Sequence, residues 1–140
     1  MTQKKTLQQL VDENPQAETF RFGDSKTLCD EILALVRSGQ KTATVEAMRA
    51  FEKEGDALPE VGRRDIALTW EGAPAAMIET VAVEVMRFDE MTEEKVAAQG
   101  EFRDLAHWQK GYRAYFSRNG GVSDDMRILY ETFRVVEDYA

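Results

Sequence analysis

The sequence predicts a single α+β domain, and three stretches carry the prediction. Between Ser25 and Gly39, Leu28, Ile32 and Val36 recur every four residues beside Cys29 and Leu33, the apolar face of an α-helix. From Ala75 to Met86 the chain is rich in β-branched residues with too weak a helical period for a helix, which predicts a long strand. Arg127 to Val136 alternates in the same way and predicts a second one. A chain of 140 residues with 43% hydrophobic content buries a real core without disulfides or metal.

The remaining elements follow in chain order. Residues 1–19 are expected to form an N-terminal helical extension, with the domain proper over 20–140. Thr6-Leu7-Gln8-Gln9-Leu10-Val11 is too short and polar for a signal peptide or membrane span, so a cytoplasmic protein is expected. Asp24 or Ser25 supplies the N-cap of the first long helix, and Gly39 fits the left-handed residue that ends it. A short helix is expected from Val45 to about Lys53. Arg64 to Trp70, the turn Glu71-Gly72 and the strand from Pro74 read as a hairpin. Thr92 opens another short helix that Gly100 ends.

The helix from about Asp104 to Arg118 presents Leu105, Trp108, Tyr112, Tyr115 and Phe116 at helical spacing, while His107 points away. An aromatic stripe of this kind is usually core, although Trp108 or Tyr112 at a cleft mouth would stack on a flat ligand. Gly120-Gly121 breaks the chain before the last strand. No internal repeat or linker divides it.

Charge and residue inventory narrow the function. Eighteen basic residues against twenty-six acidic ones give a net charge of −8, which argues against extended nucleic acid as a partner. Arg63-Arg64 are adjacent, and Arg113 and Arg118 lie on one expected helix, but each basic cluster is small. Cys29, the only cysteine, reads as a core residue in a reducing compartment. His107 is the only histidine, so neither a Ser-His-Asp triad nor a histidine-cysteine zinc site has its parts. Position 34 is Ala34, so Gly39-Gln40-Lys41-Thr42 lacks the glycine that opens a P-loop. No metal or organic cofactor is implied.

Candidate chemistry centres on Gly39-Gln40-Lys41-Thr42-Ala43-Thr44, which places a lysine and two hydroxyls at the corner after a helix. Lys41 is either a solvated cation favoured by the helix dipole or, if desolvated, a base for a threonine hydroxyl. Thr42 and Thr44 equally suit helix capping. Strict alternation puts Glu79 with Met77, Val81, Val83 and Val85, on the more apolar face of its strand, where a carboxylate needs a partner. A bulge would instead turn Glu79 to water and leave Glu84 as the inward acid. Glu131 shares a face with Leu129, Phe133 and Val135 and is a second inward candidate.

The ordered set Phe22-Gly23-Asp24-Ser25, Gly39-Gln40-Lys41-Thr42-Ala43-Thr44, Leu58-Pro59-Glu60-Val61-Gly62, Ile78-Glu79-Thr80, Phe88-Asp89-Glu90 and Phe133-Arg134-Val135-Val136 resembles the ASCH domain family. The likeness spans Phe20 to about Val136 and is greatest to the larger bacterial ASCH proteins. It implies a PUA-like (ASCH) β-barrel with flanking helices, and a cleft at the glycine-lysine-threonine corner proposed to bind RNA. One branch of small ASCH proteins hydrolyses the acetyl amide of N4-acetylcytidine with a lysine, a threonine three residues later and a glutamate on a following strand. Those roles fall on Lys41, Thr44 and Glu79, with Gly39 and Thr42 of the same corner as ligand contacts; Glu131, from its strand parity, and Trp108, from its helix stripe, are added as ligand contacts by the reading of the residues themselves. The chain departs from the pattern at Arg63-Arg64, at Val45-Glu46-Ala47-Met48, and by a helical insertion near its C-terminal end.

Two functions follow as expectations: an amidohydrolase acting on an acylated nucleoside or related small amide, or a module that binds a nucleotide or RNA end without catalysis. A structural or regulatory partner protein is the third, suggested only by the acidic surface.

Overall fold

The computed structural model describes residues 5–55 and 57–139. The first four residues of the expected N-terminal extension lie outside the described residues. The rest forms α1, Leu7–Glu13, opened by a capping box between Thr6 and Gln9. The strands are β1 (Thr19–Phe20), β2 (Ala43–Ala47), β3 (Arg64–Leu68), β4 (Pro74–Arg87) and β5 (Arg127–Asp138). The other helices are α2 (Lys26–Ser38), α3 (Met48–Glu54), α4 (Glu93–Gln99) and α5 (Leu105–Arg118).

Local signals account for most helix ends. Ser25, Thr92 and Asp104 each accept from a backbone N–H in the first turn of the helix they open, and Gly39 and Gly100 end α2 and α4 in the left-handed region. The expected helix from Val45 is the exception. Ala43–Ala47 is a strand, paired antiparallel with β5 so that Thr44 lies opposite Glu131, and α3 begins only at Met48 with no side-chain cap. Thr44 therefore caps nothing. Five residues paired with β5 outweigh the intrinsic preference of so short a segment.

The five strands form one mixed sheet in the order β1-β3-β4-β5-β2, with only β1 and β3 parallel. Alternation sends Ile66 and Leu68 of β3 to Leu10 of α1, and Ala67 to Cys29, Ile32 and Val36 of α2. Likewise Ile128 and Tyr130 of β5 meet the aromatic face of α5, while Phe133 meets α2. One face thus carries α1 and α5 at opposite ends, and the other carries α2. The sheet is open, yet residues of both edge strands, Phe20 of β1 and Thr44 of β2, line one cavity. That coiling matches the α+β, PUA-like barrel expected, and residues of all five strands line the cavity. Among the described residues no helix is long and apolar enough to cross a membrane.

Candidate functional site

The corner after α2 is built from backbone contacts. Gly39, at φ +82°, turns the chain, and the Lys41 N–H donates to the Leu35 carbonyl. Thr42 then donates its N–H and its hydroxyl to the Ala98 carbonyl of α4. Gly100 packs so closely on this corner that a Cβ there would lie 2.5 Å from the Gln40 carbonyl oxygen, at φ +73°. Gly100→Ala is expected to destabilise the protein by about 2 kcal/mol or more, read as a fall in the urea midpoint at unchanged slope. The same substitution at Gly39, which has open space around it, should cost only the backbone strain.

This clamp aims Lys41 inward. Its side chain is 1% exposed, and Nζ donates to the Ala43 carbonyl at 2.7 Å, the Gln99 carbonyl at 3.3 Å and Glu101 Oε2 at 2.7 Å. Burial pushes the Lys41 pKa below its ordinary value, and the Glu101 carboxylate opposes that shift. Three acceptors need three N–H donors, which an ammonium has and a neutral amine lacks, so the lysine is held in its charged form. The reading of Lys41 as a solvated cation is corrected.

A cavity of about 840 Å³ lies beside this pair. Thr44, Glu131, Glu101 and Asp65 reach it from strands and from the α4–α5 connection, between aromatic residues such as Phe20, Phe102 and Tyr112. Thr44 and Glu131 are register partners on β2 and β5, so their side chains leave the sheet on the same face. Glu131 Oε2 accepts from the Thr80 hydroxyl at 2.7 Å. Burial raises the Glu131 pKa, with nearby Asp65 adding to the rise and the Thr80 bond and Arg63 opposing it. The Thr44 hydroxyl has no partner among the described residues and faces the cavity.

Glu79 is elsewhere. It is not among the residues lining the cavity. Arg64 donates to its Oε1 at 3.0 Å and Arg134 to its Oε2 at 2.9 Å, along the register Arg64–Glu79–Arg134 across three strands. These two arginines hold the Glu79 carboxyl below the ordinary carboxylate range. Register shifts between Met77 and Ile78 and between Thr80 and Ala82 break the strict alternation that would have turned Glu79 inward. Glu84 does not replace it, being exposed and 3.3 Å from Lys95. The acid beside Lys41 is Glu101.

Of the expected ligand contacts, only Glu131 lines the cavity. Gly39 caps α2, and Thr42 is tied to α4. Trp108 is wholly buried, with its ring 4.9 Å from Phe88 and 5.0 Å from Tyr112, and its Nε1–H donates to Gln99 Oε1. It stands behind Tyr112, which lines the cavity. The side chains that sequence reading missed are Glu101, Phe102, Asp65 and Tyr115. A left-handed glycine stop followed at once by an acid and an aromatic, Gly100-Glu101-Phe102, was the available local signal. Among the described residues no group of histidine, cysteine, aspartate or glutamate is arranged to hold a metal ion.

A model of the ASCH domain family matches residues 18–137. The chain is similar to the crystal structure of an ASCH domain from Lactobacillus crispatus JV V101, at 25% identity over 91% of this chain and 84% of that one, with a TM-score of 0.81. It is also similar to a protein from Enterococcus faecalis V583, at 28% identity over 95% and 86% of the two chains, with a TM-score of 0.83. An ASCH protein from Zymomonas mobilis, crystallised as a point mutant, shares the fold alone at 12% identity over 87% and 70% of the two chains, with a TM-score of 0.55. No curated protein matches the chain significantly.

Proposed function

The chain belongs to the ASCH domain family, and from that premise we propose that its cavity binds a small nucleoside-like amide and hydrolyses it, with Thr44 as nucleophile and Glu131 as its base. The observation that carries the reading is the Thr44–Glu131 pair: an unpartnered hydroxyl and a half-buried carboxylate side by side in register, both lining the cavity. A threonine hydroxyl needs a neighbouring base before it attacks a carbonyl carbon. Glu131 has one oxygen occupied by Thr80 and the other available, and its raised pKa brings it closer to the proton affinity such a base requires.

In the proposed reaction the Thr44 hydroxyl adds to the acyl carbon while Glu131 takes its proton. The carbon–nitrogen bond then breaks, and Glu131 returns that proton to the departing amine. Water, deprotonated by the same carboxylate, cleaves the acyl-threonine ester and restores the hydroxyl, so amide and water become acid and amine. Lys41 is not the base in this scheme, because all three of its donors are already engaged.

Hydrolysis of N4-acetylcytidine, followed by ultraviolet absorbance, tests the reading. Thr44→Ala and Glu131→Gln are expected to lose activity about 100-fold or more, Thr44→Ser to keep part of it, and Glu79→Gln to stay within about threefold of wild type. Equal rates in wild type and Thr44→Ala would remove the threonine from the mechanism. The acid limb of kcat/KM should lie above the ordinary carboxylate range and vanish in Glu131→Gln.

Stability should move the other way. A carboxyl whose pKa is raised on folding penalises the folded state increasingly as pH climbs from its unfolded pKa to its folded one, and the full penalty persists above both. Glu131→Gln keeps an acceptor for Thr80 and removes that penalty, so its Tm at about pH 7.5 should be no lower than wild type, and any advantage should shrink toward about pH 4.5.

A further inference from the structure

We infer that the cavity selects a ligand that brings N–H donors or positive charge and no phosphate, received by Glu101 and Glu131, and that Lys41 serves this selection only by fixing Glu101. This rests on the proposed cavity as the binding site but does not need the hydrolytic step.

The cations at the cavity are largely spent. Arg63 donates to Asp65 and to the Ala57 and Leu58 carbonyls and pairs with Glu18. Arg118 is held by both oxygens of Asp24 at 3.0 and 3.2 Å. Lys41, the residue that would otherwise meet an anion, sits behind Glu101 with its three N–H groups on three acceptors. Arg21, bonded to the Trp70 carbonyl, is the one lining cation without a carboxylate partner among the described residues.

The acids stand differently. Glu101 has given Oε2 to Lys41, its side chain is 13% exposed, and no protein donor among the described residues reaches its Oε1. Glu131 likewise has Oε2 on Thr80 and Oε1 without a protein donor among the described residues. Glu31 and Glu46 add further negative charge to the lining. Carboxylate oxygens only accept hydrogen bonds, so these positions call for donors in the ligand, and a phosphate brought among them meets like charge in a partly desolvated space. Aromatic walls at Phe20, Phe51, Phe102 and Tyr115 suit a flat, donor-bearing ring.

Lys41 and Gly100 together place Glu101. The glycine gives the turn that no other residue adopts cheaply against Gln40, and the ammonium holds the carboxylate that follows. Lys41 is therefore a positioning residue.

Calorimetric titration of the full chain with cytidine, uridine and cytidine 5′-monophosphate tests this. Uridine carries a carbonyl oxygen where cytidine carries an amino group, so it opposes an acceptor to a carboxylate. Cytidine should bind about tenfold or more tighter than either of the others. The deficit of the monophosphate should narrow as salt is added. Glu101→Gln, checked for folding by circular dichroism, should bring the cytidine-to-uridine ratio near one. Lys41→Met should do the same, and the double variant should go no further. If Lys41→Met fails to fold, Glu101→Gln alone decides the role of the carboxylate, and Lys41→Arg reports on its positioning.

Tighter binding of the monophosphate, equal binding of uridine, no binding of any of the three, or unchanged selectivity in folded Glu101→Gln would each overturn the inference. Selective binding of cytidine without hydrolysis of its N4-acetyl form would remove the hydrolase reading and leave this one standing. Hydrolysis with no preference between cytidine and uridine would do the reverse.

Discussion

Trp108→Ala is expected to destabilise the protein by about 3–5 kcal/mol, a fall in Tm of roughly 10–15 °C, which would make it the most damaging single change outside the cavity. The ring is fully buried and packs on Phe88 and Tyr112 in the largest apolar cluster, where α4 and α5 meet β2 and β5. Removing it leaves a void that neighbours on separate elements cannot fill together. It also takes the donor from Gln99 Oε1, an acceptor on a residue with no exposure. Trp108→Phe separates the two costs: most of the packing survives, Gln99 loses its partner, and the expected loss is about 1–3 kcal/mol. A differential scanning calorimetry trace with an unchanged midpoint for Trp108→Ala would contradict the placement of this ring in the core.

Lys41→Met should cost about 3 kcal/mol at neutral pH, less from the attraction removed than from the carboxylate left behind. Glu101 would keep its negative charge in a nearly enclosed site with no counter-charge. The deficit should shrink when Glu101→Gln is added, because the second change removes the unpaired charge. Urea titrations of the two single variants and the double variant give the coupling directly. A double variant less stable than Lys41→Met alone would mean that the pair is not the unit described.

The two changes bear on different links between sequence and function. Trp108 supports the wall from behind, through Tyr112, so its loss should reach the cavity only by loosening the fold. Lys41 touches the cavity through one side chain, and its loss should change what the cavity accepts even where the fold survives. The same distinction explains why Glu79 is expected to matter little for chemistry. Its ladder with Arg64 and Arg134 joins three strands away from the cavity, and exposed pairs of this kind contribute modestly to stability.

Much of the architecture could be read from the chain because its signals are short-range. The caps at Ser25, Thr92 and Asp104 and the stops at Gly39 and Gly100 are settled by groups within about one helical turn of each other. The apolar periods of α2 and α5 repeat often enough to assign both helices, and the inward face of Glu131 followed from simple alternation in β5. The short strand at Ala43–Ala47 was not legible. Its state depends on β5 lying alongside, and β5 comes at the far end of the chain.

Residue order by itself determined the α+β class, most of the helix ends, the family likeness and the corner that carries Lys41 and Thr44. Tertiary structure alone decided the partners of that corner. Lys41 meets Glu101, 60 residues away, because α4 docks on the corner and Gly100 turns the chain back toward it. Glu79 faces its arginines because shifts in register against β5 reset the alternation of β4. A strand's own residues state its period, whereas the position of a bulge is set by the strand beside it, and the burial of a charge by whatever closes over it.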